Sequence, residues 1–200
     1  MTEVIYPLFS SPVYGKVIGE NLKDIFSSLK KEPFEPANNQ GTSISTTKKI
    51  LDKYPRLEKV LLKEFNYFKN TYLHYKSTDF YMTTSWVTKC TPNSCGHKHN
   101  HKNCVYSGVL YFQDEIGSIQ FSNENIIPES IMLNEPSEYN LYNSSSWEIT
   151  PKKNLMIIFP SYLFHQVNTH ISTENRYSLA FNLFPKGNIG KNDSSLRAFK

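Results

Sequence analysis

From Phe80 onward polar and apolar residues alternate with a period of two, and this change of rhythm constrains the fold more than any other feature of the 200-residue chain. Runs rich in β-branched and aromatic residues occur at Phe80 to Val87, Val105 to Phe112, Ser118 to Phe121, Leu155 to Phe159 and Tyr177 to Phe184. Clusters of Gly, Pro, Asn and Ser separate them. Alternation sends successive side chains to opposite faces of a strand, so each run can bury one face against a second layer. Several short strands with no helical pattern between them predict a mainly β fold, antiparallel and closed as a barrel or jelly roll.

The first third of the chain reads as a layer wrapped around that core. A strand is expected at Val13 to Ile18, a short helix capped by Asn21 and running through Lys30, and a loop over the polar stretch Pro33 to Thr47. A longer helix then starts at Pro55, a residue that the first helical turn tolerates. Leu57, Val60, Leu61, Phe65, Phe68 and Tyr72 recur at three- and four-residue spacing, while Lys59, Lys63 and Lys69 are expected to face elsewhere. The chain is thus expected to form one domain: an N-terminal wrapping layer with flanking helices (1–79), a β core (80–184) and a C-terminal tail (185–200). No internal repeat is present, and the Asn- and Ser-rich stretch Glu135 to Ser146 reads as a loop or hairpin insertion.

The formal charge of +4 is carried by lysines scattered along the whole chain, so it leaves no clear nucleic-acid footprint. Glu3 stands where a secretory signal carries basic residues, and Pro7 breaks the apolar stretch beside it. No run of about 18 apolar residues could span a membrane. The 3 cysteines, Cys90, Cys95 and Cys104, are odd in number and too few for a disulfide scaffold. A cytoplasmic location is expected by elimination.

Of the 6 histidines, three alternate in Gly96-His97-Lys98-His99-Asn100-His101. On an extended strand residues i and i+2 share a face, so His99 and His101 can present two imidazoles to one metal ion. A strand rises about 3.4 Å per residue, too steeply for all three rings to reach one ion, and His97 remains an alternative to one of the pair. His165 is the candidate third ligand. It follows the apolar run Leu155 to Phe159 and a turn, where a loop can deliver a side chain to a barrel mouth. His74 and His170 carry no comparable pattern.

Arg176 opens the strand Arg176-Tyr177-Ser178-Leu179-Ala180-Phe181-Asn182-Leu183-Phe184 in a chain that otherwise prefers Lys. Alternation assigns Tyr177, Leu179, Phe181 and Leu183 to the helix side and Arg176, Ser178, Ala180 and Asn182 to the barrel interior. A guanidinium there needs a partner, because an unpaired buried charge costs several kcal/mol. A small-molecule carboxylate held by two parallel N–H bonds and the Ser178 hydroxyl would serve, and so would an internal Asp or Glu.

His99-x-His101, then Ser107-Gly108-Val109-Leu110-Tyr111, then Phe159-Pro160 with His165, then Arg176-x-Ser178, together resemble the iron(II)/2-oxoglutarate oxygenase superfamily over roughly residues 84–184. The resemblance is nearest to a subfamily of bacterial and phage-type oxygenases, with prolyl hydroxylases as distant cousins. It implies a double-stranded β-helix (jelly roll), with iron(II) held by His99, His101 and His165 in a facial triad open to 2-oxoglutarate and dioxygen. It also implies that Arg176 and Ser178 bind the distal carboxylate of 2-oxoglutarate, with Tyr111 hydrogen-bonding the same group. His101 stands where the superfamily usually has a carboxylate, which leaves the ion's charge uncompensated until the co-substrate arrives. The implied reaction couples decarboxylation of 2-oxoglutarate to succinate with oxidation, most simply hydroxylation, of a second substrate. That substrate is left open among a protein side chain, a metabolite and a nucleobase, and a homodimer is left open too. Trp86 and Asn182 lie on core strands beside the site without an assigned role.

Two other readings compete. A cupin-type metal-binding protein shares the barrel and the His-x-His pair, but it needs a Glu soon after the pair, where this chain has Lys102-Asn103-Cys104-Val105-Tyr106. A non-enzymatic domain with structural zinc at Cys90, Cys95, His97 and Cys104 lacks paired Cys-x-x-Cys knuckles.

Overall fold

The alternating half of the chain folds into two facing antiparallel sheets. The computed structural model describes residues 3–37, 41–114, 117–123, 136–169 and 171–198. Part of the Pro33 to Thr47 stretch, the start of the insertion at Glu135, and His170 lie outside them.

The central strands are β4 (Asp79–Cys90), β5 (Gly96–His99), β6 (Tyr106–Tyr111), β7 (Ile119–Ser122), β8 (Ser146–Ile149), β9 (Leu155–Pro160), β10 (Phe164–Val167) and β11 (Arg176–Ile189). The larger sheet contains the order β9-β6-β11-β4, and the smaller runs β5-β10-β7-β8. Following the chain, the strands pass from one sheet to the other and back, and this winding defines a jelly roll. The larger sheet is extended by β1 (Tyr14–Val17) beside β9 and by β3 (Thr42–Ser45) and β2 (Phe34–Pro36) beside β4, while β12 (Leu196–Ala198) pairs with the end of β11.

Period-two burial divides the core in two. Leu179, Phe181 and Leu183 of β11 pack outward with Leu57, Leu61, Phe65 and Phe68 of α2 (Pro55–Thr71) and with Phe26 and Leu29 of α1 (Lys23–Leu29). Each such buried side chain contributes about 1.5–3 kcal/mol. Val109, Tyr111, Ile119, Phe121, Ile157 and Phe159 fill the space between the sheets. Gly108 is set by this packing. It lies opposite Phe181 in the register, and a Cβ placed on it would stand 2.3 Å from that ring. The chain can therefore lay an aromatic ring across the strand only where a side chain is missing.

Several elements differ from expectation. The stretch expected as a loop at Pro33 to Thr47 supplies β2 and β3, because its hydroxyls are used inward: Ser45 is buried and its Oγ accepts the Val87 N–H at 3.1 Å. The expected tail at 185–200 instead continues β11 to Ile189 and returns as β12. The first helix is shorter than expected, with Asn21 Oδ1 accepting the Lys23 N–H at 3.1 Å. Lys69, expected at the surface, is buried, and its Nζ donates to the carbonyls of Tyr75 at 2.6 Å and Thr78 at 2.7 Å. Tyr72, expected in the core, is exposed.

Candidate metal centre

His99 ends β5, and His165 lies on β10 directly opposite it in the register. The loop expected to carry His165 is thus a strand of the smaller sheet, and strand pairing sets the His99–His165 separation. His101 lies two residues past β5 and is fixed by its backbone N–H, which donates to Ser161 O at 3.0 Å. Their candidate ligand atoms lie within 4.8 Å of one another, and the ring centroids are 4.4, 5.0 and 5.1 Å apart. The three imidazoles form one side of a coordination sphere for an ion about 2.0–2.2 Å from each nitrogen. No carboxylate, cysteine or fourth histidine joins this cluster among the described residues.

Hydrogen bonds select the tautomers. His99 Nδ1 lies 2.8 Å from the carbonyl of His97, and His165 Nδ1 lies 3.0 Å from the carbonyl of Leu163. A carbonyl only accepts, so each Nδ1 carries the proton and each Nε2 keeps a lone pair. His97 therefore contributes a backbone acceptor. Burial, reinforced by His165 and His99, lowers the His101 pKa to about 3; burial, offset in part by the Leu163 carbonyl, lowers that of His165 to about 4. Both rings are neutral near pH 7, the form in which an imidazole binds a metal. Trp86 stands 5.9 Å from His101, and Phe159 stands 4.7 Å from His165. These rings wall the cluster, and the inward alternation of β4 was the sequence signal for Trp86.

Arg176 opens β11 on the same interior face. It is 3% exposed, and the Tyr111 ring lies 5.3 Å from its guanidinium carbon. Nη1 approaches Cys90 Sγ at 3.9 Å, and Nε is buried without a partner. The ion pairs among the described residues are Lys48–Glu35, Lys53–Glu32 and Arg56–Glu20, so the internal carboxylate considered for Arg176 is not found there. Tyr111 is paired in register with Ser178. Its buried hydroxyl also lacks a partner, and burial pushes its pKa up to about 12 against the opposing charge of Arg176. A buried cation beside two unpartnered polar atoms is a receptor built for an anion.

A groove of about 770 Å³ runs up to His101, lined by Pro12, Tyr72, Tyr75, Lys102 and Tyr162 among others. The cysteines expected in a structural zinc site stand apart: Cys90 faces Arg176, and all three are free thiols.

Residues 84–182 match a family profile described as "Putative 2OG-Fe(II) oxygenase". No curated protein matches the chain. Solved structures share its fold. HygX from Streptomyces hygroscopicus, solved with nickel, 2-oxoglutarate and hygromycin B, is similar with a TM-score of 0.62 at 14% identity, over 88% of this chain and 82% of that one. A Pseudomonas putida prolyl-4-hydroxylase is similar with a TM-score of 0.57 at 14% identity, over 90% and 96%. SnoK, an alpha-ketoglutarate-dependent carbocyclase of nogalamycin biosynthesis, is similar with a TM-score of 0.62 at 9% identity, over 89% and 81%.

Proposed function

Given that the chain belongs to the iron(II)/2-oxoglutarate oxygenase superfamily, we propose that it is a hydroxylase in which His99, His101 and His165 hold the iron and Arg176, Ser178 and Tyr111 hold 2-oxoglutarate. The observation that carries this reading is the pairing of two unsatisfied features in one interior: three imidazoles with mutually close donor atoms, and a buried guanidinium with no carboxylate partner among the described residues. Either alone has ordinary structural explanations. Together they match a dianion that chelates a metal at one end and meets Arg176 at the other.

Iron(II), when bound, supplies the chemistry that couples oxidative decarboxylation of 2-oxoglutarate by dioxygen to oxidation of a second substrate. The protein's residues bind, orient and exclude. The neutral imidazoles bring no negative charge to the ion, so its two positive charges act undiminished on the incoming dianion. Arg176 Nε and Nη groups donate to the distal carboxylate, and Tyr111, kept protonated by burial, donates a further hydrogen bond. Trp86, Phe121 and Phe159 keep water from the reacting centre. The unidentified substrate, whether protein side chain, metabolite or nucleobase, approaches along the groove beside His101. We read the chain as a single cytoplasmic domain. The free thiols fit a reducing compartment, and no helix among the described residues is long and apolar enough to cross a membrane.

Manganese(II) titration of single alanine variants tests the ligand set. His99→Ala, His101→Ala and His165→Ala should each weaken binding by at least about tenfold, whereas His97→Ala, which keeps its backbone carbonyl, should not. Loss of binding in His97→Ala with retention in His101→Ala would overturn the assignment.

A further inference from the structure

Four neighbouring elements of the larger sheet each place one polar side chain in a single row: Thr84 on β4, Asn182 on β11, Ser107 on β6 and Ser161 just past β9. Asn182 Nδ2 donates to Thr84 Oγ1 at 3.0 Å, and Ser107 Oγ donates to Asn182 Oδ1 at 2.8 Å. Ser107 and Ser161 Oγ are 2.8 Å apart. Since Ser107 has one hydroxyl proton and gives it to Asn182, Ser161 must be the donor in that last contact. Every bond therefore runs the same way, from Ser161 towards Thr84, an arrangement in which each bond polarises the next.

The row ends at the backbone that holds His101. Ser161 O accepts the His101 N–H at 3.0 Å, and Ser161 N–H donates to Val105 O at 3.0 Å. Ser161 thus clamps both ends of the segment carrying the ligand, and its side chain is the row's terminus. A bulge reinforces the design. The β4–β11 register shifts at Asn182, where Thr83 is passed over, and the Thr83 hydroxyl donates to Asn182 O at 3.4 Å. Bulges of this kind re-aim a neighbouring side chain.

Stability alone does not account for the row. Ser107 and Ser161 are almost wholly buried and Asn182 is 8% exposed. Apolar replacement of such a mutually satisfied set is often close to neutral for folding. What hydrogen bonds add is a fixed position. We infer that Asn182, Ser107 and Ser161 are positioning residues that fix the His101 segment, and so the His101 imidazole, in its metal-binding pose.

This inference rests on the proposed ligand set, and its test separates the two. Manganese(II) affinity without co-substrate and the melting temperature of the metal-free protein are measured for wild type, Ser107→Ala, Asn182→Leu and Ser107→Thr. Ser107→Ala removes one oxygen from a folded strand; Asn182→Leu breaks the same row from another strand should the first variant fold poorly. Both should bind manganese(II) about tenfold more weakly, with a broadened manganese resonance and without a matching loss in melting temperature. Ser107→Thr, which keeps the hydroxyl, should restore affinity. Wild-type affinity in both disrupted variants overturns the positioning role and leaves the ligand set intact. Failure of wild type to bind manganese(II) at all overturns the ligand set and the inference with it.

Discussion

Replacing Arg176 with Met should stabilise the ligand-free protein while crippling co-substrate binding. The guanidinium is 3% exposed, has no carboxylate partner among the described residues and leaves Nε unbonded. Burying it unpaired costs several kcal/mol. The contact with the Tyr111 ring at 5.3 Å returns part of that, on the order of 0.5–2 kcal/mol. Met keeps much of the apolar stem, so relief of about 1 kcal/mol should raise the ligand-free melting temperature by roughly 2–4 °C. With 2-oxoglutarate the sign reverses. A charge-assisted hydrogen bond contributes about 1.5–3 kcal/mol, so losing even one weakens binding at least roughly tenfold. At a 2-oxoglutarate concentration that stabilises manganese-loaded wild type by about 2.7 kcal/mol, a tenfold weaker variant gains only about 1.4 kcal/mol. Thermal melts of both proteins, each with and without 2-oxoglutarate in the presence of manganese(II), provide the comparison. A variant that melts several degrees lower in every condition, or that keeps the full co-substrate shift, refutes the reasoning.

Tyr111→Phe removes a buried hydroxyl that has no partner; ligand-free stability should hold while 2-oxoglutarate affinity, read by calorimetry, falls about tenfold. Gly108→Ala drives a methyl group to 2.3 Å from the Phe181 ring; overpacking of this kind should cost about 1–3 kcal/mol, visible in urea unfolding as a lowered midpoint at unchanged slope. The metal-free protein should lose stability as the pH falls below the ordinary histidine value of about 6.5. His101 and His165, with pKa values lowered to about 3 and about 4, stay neutral in the fold while the unfolded chain takes up protons. Each ring then contributes a slope of up to about 1.4 kcal/mol per pH unit, fully stabilising above pH 6.5 and lost towards pH 4. Denaturant midpoints between pH 7 and 4.5 check this, and a flat profile would contradict the buried neutral rings.

The sequence exposed what strand periodicity and residue chemistry encode directly. Alternation in β11 assigned Arg176, Ser178 and Asn182 to one face and Leu179 and Phe181 to the other, and the two core clusters follow that division. The two-residue spacing of His99 and His101 likewise put both rings on one side. Long-range pairing was less legible. That His165 sits on a strand opposite His99 depends on β10 docking against β5, and Phe164–Val167 is too short to announce itself. Thr42 to Ser45 looked like a loop because Ser and Thr serve both turns and strands, and only the neighbouring β4 decides between them. Lys69 was assigned to the surface by its charge, yet two backbone carbonyls beyond the end of α2 draw it inward. The polar row through Asn182 left one trace, an amide in an otherwise apolar strand, but its partners lie on three other elements.

The central claim is that one interior binds a metal through three histidines and, through that metal and Arg176, a dicarboxylate. Anaerobic calorimetric titration of 2-oxoglutarate into the purified protein, with and without manganese(II), tests it most directly. Saturable binding of one 2-oxoglutarate per chain that depends on the metal and is abolished in His165→Ala is the expected result. Absence of binding to the manganese-loaded protein, or binding indifferent to both the metal and His165, would contradict it.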